Sequence, residues 1–379
     1  MPVKEDHPFQ LFLWWGGNAS SFTRMFGPPD RGGRGGYAEE CRKTYEDEKR
    51  GDGRSFGDIT RDIAIRSSRF PNNIIPVAGL PPYYQWEDWP QEVWHPSLYD
   101  ALCKCQKLME LADGVLLGTV VDLEPESVKD VMQYMHPKQV LCLGPQFGLA
   151  APSSQGNDLA IKFLDSALVK HGAQSALYIS FGSAFFPPAE HVRVLVETLL
   201  ELDDPMPFVF TASRRRLNPQ LMQSIEASGR GLVVSWAPQQ AILAHPALGW
   251  MISHCGAGGM FESLAEGVPV IAWPFTADQP QHALWLSEVL DSAFELLQIR
   301  TGVAQQMKAL RGGPEGTTIL GTEDAIKQEL VDVLTQARGQ LGVRKRHNAT
   351  AAREKLLHAE EAAGSVKKAL DELGVELGR

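Results

Sequence analysis

Three glycines, a histidine, a carboxylate and an indole, packed into one stretch, carry most of the chemistry this chain can be expected to do. Residues 236–279 read WAPQQAILAHPALGWMISHCGAGGMFESLAEGVPVIAWPFTADQ. An apolar run ends at Ser253, His254-Cys255-Gly256-Ala257-Gly258-Gly259 follows, and Met260, Phe261, Leu264 and Ala265 then repeat at helical spacing. Strand, glycine turn and helix in that order aim free backbone N–H groups and the positive end of a helix at a phosphate. A glycine turn alone also serves tight packing. Here it keeps company with an aromatic ring at Trp236, a carboxylate at Glu262 and the Asp278-Gln279 pair. Those groups suit a base, a ribose and a sugar on either side of a diphosphate, and the stretch reads as a nucleotide-sugar site.

The elements that must hold these residues are regular in the second half of the chain. Apolar, β-rich runs recur at 176–181, 207–211, 232–236, 250–253, 268–273 and 293–297, with helical patterns such as 189–202 and 281–290 between them. Runs with no polar face, alternating with helices, predict a parallel sheet covered on both sides. Ligands bind such sheets at the carboxyl ends of the strands. Phe181-Gly182-Ser183, Trp236, His254 and Trp273 fall at those ends.

The first half is less regular. Trp14-Trp15 reads as a buried aromatic pair, and residues 1–70 do not read like the start of a doubly wound domain. The Gly/Arg/Pro-rich stretch 27–36 and the charged run to Arg54 read as a solvated loop and a polar helix. Strand signals come at 74–77, 114–117 and 140–143. Tyr83, Tyr84, Trp86, Trp89 and Trp94 either line an apolar pocket or simply pack. The Gly/Ala/Ser/Pro-rich segment 146–158 is the natural domain boundary. Residues 351–373 form a charged helical stretch that either docks back on the first half or stays solvated.

Composition narrows the function classes. The 379 residues allow two domains. A net charge of −10 argues against a nucleic-acid partner, which would call for a basic patch. No apolar run approaches the roughly eighteen residues of a membrane span. Five cysteines with no preceding signal segment are expected to be reduced thiols, which points to the cytoplasm. Cys103 and Cys105 lack the neighbours a zinc site needs.

Trp-Ala-Pro-Gln at 236–239, His-Cys-Gly at 254–256, Glu-Ser at 262–263, Gly-Val-Pro at 267–269 and Asp-Gln at 278–279 resemble the donor signature of UDP-dependent glycosyltransferases. Tyr178 to Ser183 is similar to that family's first donor-domain strand, and Leu143-Gly144-Pro145 to its interdomain linker. The resemblance implies an α/β chain of GT-B fold, with two Rossmann-like domains facing a cleft and the N-terminal one incomplete. It implies an acceptor domain over 1–145, a linker over 146–158, a UDP-sugar domain over 159–350 and a helical segment over 351–379. By the same resemblance Trp236 stacks on uracil, Ala237 offers backbone groups to its edge and Gln239 reaches the ribose. Glu262 accepts from the ribose hydroxyls, and His254 with the amides of Gly256, Gly258 and Gly259 holds the diphosphate. Ser183 lies near the phosphates, and Asp278 and Gln279 bind sugar hydroxyls of a glucose- or xylose-type donor. UDP-sugar is then a co-substrate, with no cofactor or metal expected.

Two departures follow. Plant members carry Trp-Asn-Ser after His-Cys-Gly, whereas this chain has Ala257-Gly258-Gly259, which leaves backbone amides to do the work and points to a non-plant branch. The N-terminal histidine that serves as base in inverting members, with its aspartate, has no counterpart, since His7 does not match the motif. The catalytic residues are therefore unassigned, and an N-terminally truncated sequence is expected. Two functions stay open: transfer of a hexose or pentose to a hydroxyl of a small lipophilic acceptor such as a terpenoid or sterol, and a non-catalytic UDP-sugar-binding half that needs a partner chain. A UDP-sugar epimerase is a weaker third.

Overall fold

The computed structural model of the chain describes residues 10–48, 53–66, 73–92, 96–146, 158–305, 307–313 and 315–376. It divides into one compact unit of Met1–Asp88, Val93–Gln146 and Lys355–Arg379 and a second of Trp89–Glu92 and Phe147–Glu354.

The first unit opens with a strand, a turn and a helix, an α/β start that residues 1–70 were not expected to give. Strand β1 (Phe12–Trp15) leads through Gly16-Gly17 to Asn18, whose side-chain oxygen accepts the Ser21 N–H at 3.0 Å and caps α1 (Ala19–Phe26). The helix is buried almost throughout. Its polar sequence misleads because Ser21, Thr23 and Arg24 find partners inside the protein. Ser21 Oγ donates to the Asn18 carbonyl at 2.9 Å, Thr23 meets the Tyr134 hydroxyl at 3.2 Å, and Arg24 meets Asp88. The Gly/Arg stretch is folded as well. The Gly32 carbonyl, at a residue with φ of +78°, accepts from Arg24 Nη1 at 2.8 Å. Gly33 packs so close that a Cβ would lie 1.9 Å from the Gly27 carbonyl oxygen. Trp14 and Trp15 are not a buried pair: Trp14 is 43 % exposed, while Trp15 packs edge-on against Phe22 and Phe26.

Helices α2 (Tyr37–Glu48), α3 (Phe56–Arg66) and α4 (Pro96–Leu111) pack on one another. Ile74–Ile75 (β2) pairs antiparallel with Tyr83–Tyr84 (β3) and stands apart from the main sheet, because Pro81-Pro82 keep the segment short. Tyr83, Trp86 and Trp89 are buried, so at these positions the aromatic-rich loop packs; Trp94 lies outside the described residues. Strand β4 (Gly114–Leu117), helix α5 (Pro125–Met135) and strand β5 (Gln139–Cys142) complete a three-stranded parallel sheet of order β1-β4-β5. Phe22, Val115, Leu117, Val128, Val131 and Val140 form its core.

Glu124, at the end of the β4–α5 connection, accepts the N–H groups of Ala19 at 2.7 Å and Ser20 at 3.3 Å. Burial pushes its carboxyl up to about 7, against the pull of these bonds and of Thr119. A carboxyl raised from an unfolded value near 4.5 stabilises fully below that value and loses its contribution as pH rises through about 7. Thermal melts between pH 5 and pH 8 are therefore expected to show a downward slope that shrinks in Glu124→Gln. An unchanged slope would refute the assignment.

The second unit is wound around a six-stranded sheet. Asp158 caps α6 (Leu159–His171) through the Ala160 N–H at 2.8 Å. The chain then alternates β6 (Ala176–Ser180), α7 (Ala189–Glu201), β7 (Phe208–Thr211), α8 (Pro219–Ser228), β8 (Gly231–Val234), α9 (Gln239–Leu243), β9 (Leu248–Ser253), α10 (Ala257–Ala265), β10 (Val270–Ala272), α11 (Gln279–Leu284) and β11 (Ala293–Glu295). All six strands are parallel, in the order β11-β10-β9-β6-β7-β8. Every residue of β6, β9 and β10 is buried. Successive side chains point to opposite faces, so both faces are covered. The six apolar runs of the sequence match these strands. A short hairpin of β12 (Lys308–Ala309) and β13 (Thr317–Thr318) precedes α12 (Glu323–Arg338) and α13 (Gln340–Glu360). A turn breaks the terminal helical stretch before α14 (Ser365–Glu376), which packs on β5 of the first unit. There Gln139 donates to Glu372 at 2.9 Å.

Candidate functional site

The strand order reverses between β6 and β9. These neighbours continue into helices that lead to opposite ends of the sheet, so their loops part and leave a crevice at the carboxyl ends. Ser180 pairs with Ser253, which starts both loops at the same level. One loop is Phe181-Gly182-Ser183 and the other His254-Cys255-Gly256.

The His254 ring is held between two glycines. A Cβ on Gly182, whose φ is +68°, would lie 2.8 Å from its Cε1 and Nε2, and one on Gly256 would lie 2.5 Å from Nε2. Burial lowers the imidazole's pKa below its ordinary value, while the Asp278 charge and the Ser180 backbone pull the other way. The lowered value keeps the ring neutral near pH 7. Cys255 is a non-glycine residue at φ +62°. That strained conformation turns the chain sharply from strand to helix. The turn is braced by His282 Nδ1–H, which donates to the Cys255 carbonyl at 2.8 Å. His282 is fully buried and stands 3.8 Å from Asp278. It is a supporting residue of the turn.

Gly256 is the N-cap of α10, and no side chain caps that end. The amides of Ala257, Gly258 and Gly259 lie in its first turn, where backbone N–H groups have no intrahelical acceptor. Ala257 thus joins Gly256, Gly258 and Gly259; its methyl side chain gave no hint of a backbone role. Gly258 faces open space, and a Cβ on Gly259 would contact Gln239 at 3.7 Å.

A chain of side chains fixes the carboxylate. Thr211 Oγ1 donates to the Tyr178 hydroxyl at 3.1 Å, and that hydroxyl donates to Gln239 Oε1 at 3.2 Å. Gln239 Nε2 in turn donates to Glu262 Oε2. Gln239 and Glu262 are thus brought together across α9 and α10, with Glu262 Oε1 left to accept further bonds. Tyr178, midway along β6, and Thr211, at the end of β7, are positioning residues that sequence reading missed, since apolar strand patterning hides their hydroxyls.

Trp236 follows β8 and is 71 % exposed. An indole so exposed, a few residues ahead of Gln239, offers a flat apolar face to solvent. Ala237 is buried in the core by its methyl group, which leaves only its backbone for a ligand. Ser183 is exposed on the loop after β6. Trp273 is a core residue, edge-on to Phe181 at 5.3 Å. Asp278 precedes α11 and is half-buried, and Ala277 beside it takes φ +61°. Gln279 is buried, and its side-chain oxygen accepts the N–H groups of Phe275 at 2.9 Å and Thr276 at 3.3 Å. Its amide nitrogen is the part left to donate. Among the described residues no group of three or more His, Cys, Asp or Glu is placed to hold a metal, and no helix is long and apolar enough to cross a membrane.

Residues 119–305 match the family profile described as UDP-glucoronosyl and UDP-glucosyl transferase, and every site residue named above lies inside that segment. The chain is 31 % identical over 285 residues to UDP-glycosyltransferase eriJ of Hericium erinaceus, covering 71 % of this chain and 55 % of that protein. The chain belongs to the UDP-glycosyltransferase family. Flavonol 3-O-glucosyltransferase F3GT2 of Actinidia chinensis var. chinensis is 33 % identical over 198 residues, or 51 % of this chain and 42 % of the relative. The chain spans about half the length of the curated relatives it matches. Its fold is GT-B: UGT2 of Phytolacca americana, solved with UDP-2fluoro-glucose and pterostilbene, superposes with a TM-score of 0.65 at 22 % identity, covering 96 % of this chain and 70 % of that one.

Proposed function

We propose that the chain acts as an inverting UDP-glycosyltransferase that moves a hexose or pentose from a UDP-sugar to a hydroxyl of a small lipophilic acceptor. The observation that carries this reading is the uncapped first turn of α10 beside the clamped His254 at the reversal point of the sheet. In the proposed reaction the acceptor oxygen attacks the anomeric carbon from the face opposite UDP. The bond from that carbon to the diphosphate oxygen breaks, and its electron pair leaves with UDP. Positive ends aimed at the diphosphate stabilise the charge that builds on it. The amides of residues 256–259 and the His254 ring would donate to the diphosphate, with no metal called for.

Trp236 would cover the uracil, a contact worth about 1–3 kcal/mol for an aromatic on a base. Glu262 Oε1 would accept from the ribose hydroxyls, with Gln239 holding it in place. Ser183 would sit at the phosphates, and Asp278 with the Gln279 amide would bind the sugar. The group that takes the acceptor proton is unassigned. A UDP-sugar-binding half that acts with a partner chain is the second reading.

Calorimetry of UDP, UDP-glucose and UDP-xylose on the chain and on Glu262→Ala tests the site. A charge-assisted hydrogen bond is worth about 1.5–3 kcal/mol, so Glu262→Ala is expected to bind UDP about 10–150-fold more weakly. Failure of the unmodified chain to bind any of the three sinks the reading. Product analysis with and without a flavonoid or sterol acceptor then separates transfer from binding alone.

A further inference from the structure

A second basic site lies at the opposite edge of the same sheet. Its cleft, of about 600 Å³, is built where strands begin, from the end of α6, the segments leading into β6 and β7, the start of β9, and the α12–α13 corner. Strands β6 and β9 are five and six residues long, which at about 3.3 Å per residue separates this cleft from the glycine turn by roughly 16–20 Å.

The charges in the cleft do not balance. Arg338 is answered by Asp204 at 3.1 Å. Arg346 projects from α13 and donates to the Gly249 carbonyl, its sole hydrogen bond among the described residues, and no carboxylate pairs with it. Burial pushes its guanidinium down to about 10, with no neighbouring charge close enough to oppose the shift. Lys170 and His171, in the last turn of α6, line the same cleft and have no carboxylate partner among the described residues either. A half-buried guanidinium without a counter-charge is costly, and a protein keeps one most readily where an anion answers it. Met206, Trp250 and Val343 add apolar wall, and the volume exceeds what a bare ion needs.

We propose that this cleft binds a phosphate monoester, with the Arg346 fork and Lys170 on the phosphoryl oxygens and the organic part against Met206 and Val343. The forked N–H groups of Arg346 match two oxygens of a tetrahedral anion, which an ammonium would not. Nothing in the UDP-sugar reading requires this site, and its residues share no contact with the glycine turn.

The test titrates inorganic phosphate and glucose 6-phosphate by calorimetry into the chain, Arg346→Gln, Arg346→Lys and Lys170→Gln, with UDP as a parallel titration. Vesicles of phosphatidylcholine with and without phosphatidic acid are sedimented with the same proteins, to separate a free ester from a lipid headgroup. The expected result is a phosphomonoester affinity that falls at least about tenfold in Arg346→Gln and recovers only partly in Arg346→Lys, while UDP binding stays unchanged. Because removal of an unpaired half-buried charge should not lower stability, Arg346→Gln should melt no lower than the unmodified chain; Lys170→Gln, at an exposed position, gives a second reading. Equal binding by the unmodified chain and both glutamine variants overturns the proposal. So does the absence of binding to phosphate, ester and phosphatidic acid vesicles alike.

Discussion

Gly256→Val is expected to reduce UDP binding by more than about a hundredfold while costing only about 1–3 kcal/mol of stability, so that the chain stays folded. The argument is geometric. A Cβ at this position would stand 2.5 Å from His254 Nε2, closer than side-chain atoms approach. The ring cannot swing away, because the Gly182 backbone closes the other side, where even a methyl group would lie 2.8 Å off. The added branch would also stand in front of the first-turn amides of α10, at the place a diphosphate must approach. Loss of two hydrogen bonds to an ionised group costs about 3–6 kcal/mol, and each 1.4 kcal/mol is tenfold in affinity. The overpacking costs about 1–3 kcal/mol, and the chain should stay folded because Gly256 is half-buried at a helix end and outside the sheet core. Calorimetric titration with UDP, beside a thermal melt, checks both halves. Binding within threefold of the unmodified chain would show that the turn is not where the diphosphate sits.

Asp88→Ala should destabilise the first unit by about 3–5 kcal/mol, the loss found when one partner of a buried ion pair is removed. Asp88 is 2 % exposed and accepts from Arg24 Nε at 3.0 Å and Arg34 Nη2 at 2.7 Å, and Arg24 is equally buried. Burial would lift the Asp88 carboxyl, but the two guanidiniums hold it below the usual carboxylate range. Its contribution is therefore complete above the unfolded value near 3.8 and is lost as pH falls through the depressed one. The substitution leaves Arg24 deep in the protein without the carboxylate that balances it. Total stabilities of domains run at about 5–15 kcal/mol, so the loss is a large share. Chemical denaturation at pH 7 should show it, and Asp88→Asn, which keeps an acceptor, should lose less. A change under about 1 kcal/mol in Asp88→Ala would mean that the pair contributes nothing net.

How far the sequence reaches differs between the two units, for a physical reason. In the second unit, continuous apolar runs can satisfy their surroundings only as strands covered on both faces, so six strands and their parallel class follow from composition. In the first, α1 carries Ser20, Ser21, Thr23 and Arg24 inward. Whether such residues face solvent or bonded partners depends on Asp88, Tyr134 and Glu124, which stand far along the chain. Local polarity therefore points the wrong way for residues 10–36. The terminal stretch is legible as helical, but its break into α13 and α14 and the seat of α14 on β5 depend on tertiary contacts.

The sequence by itself determined the glycine turn, the helix behind it and the identities of His254, Glu262 and Trp236, because strand, turn and helix propensities are local. Only the tertiary structure decided that β6 and β9 are neighbours at the reversal of the sheet. That adjacency sets Gly182 against His254 and lets Tyr178 hold Gln239 for Glu262. Strand order arises from which apolar faces pack best across the whole unit, and no window of residues contains it. The same holds for the basic cleft at the far edge, whose cations come from helices α6 and α13.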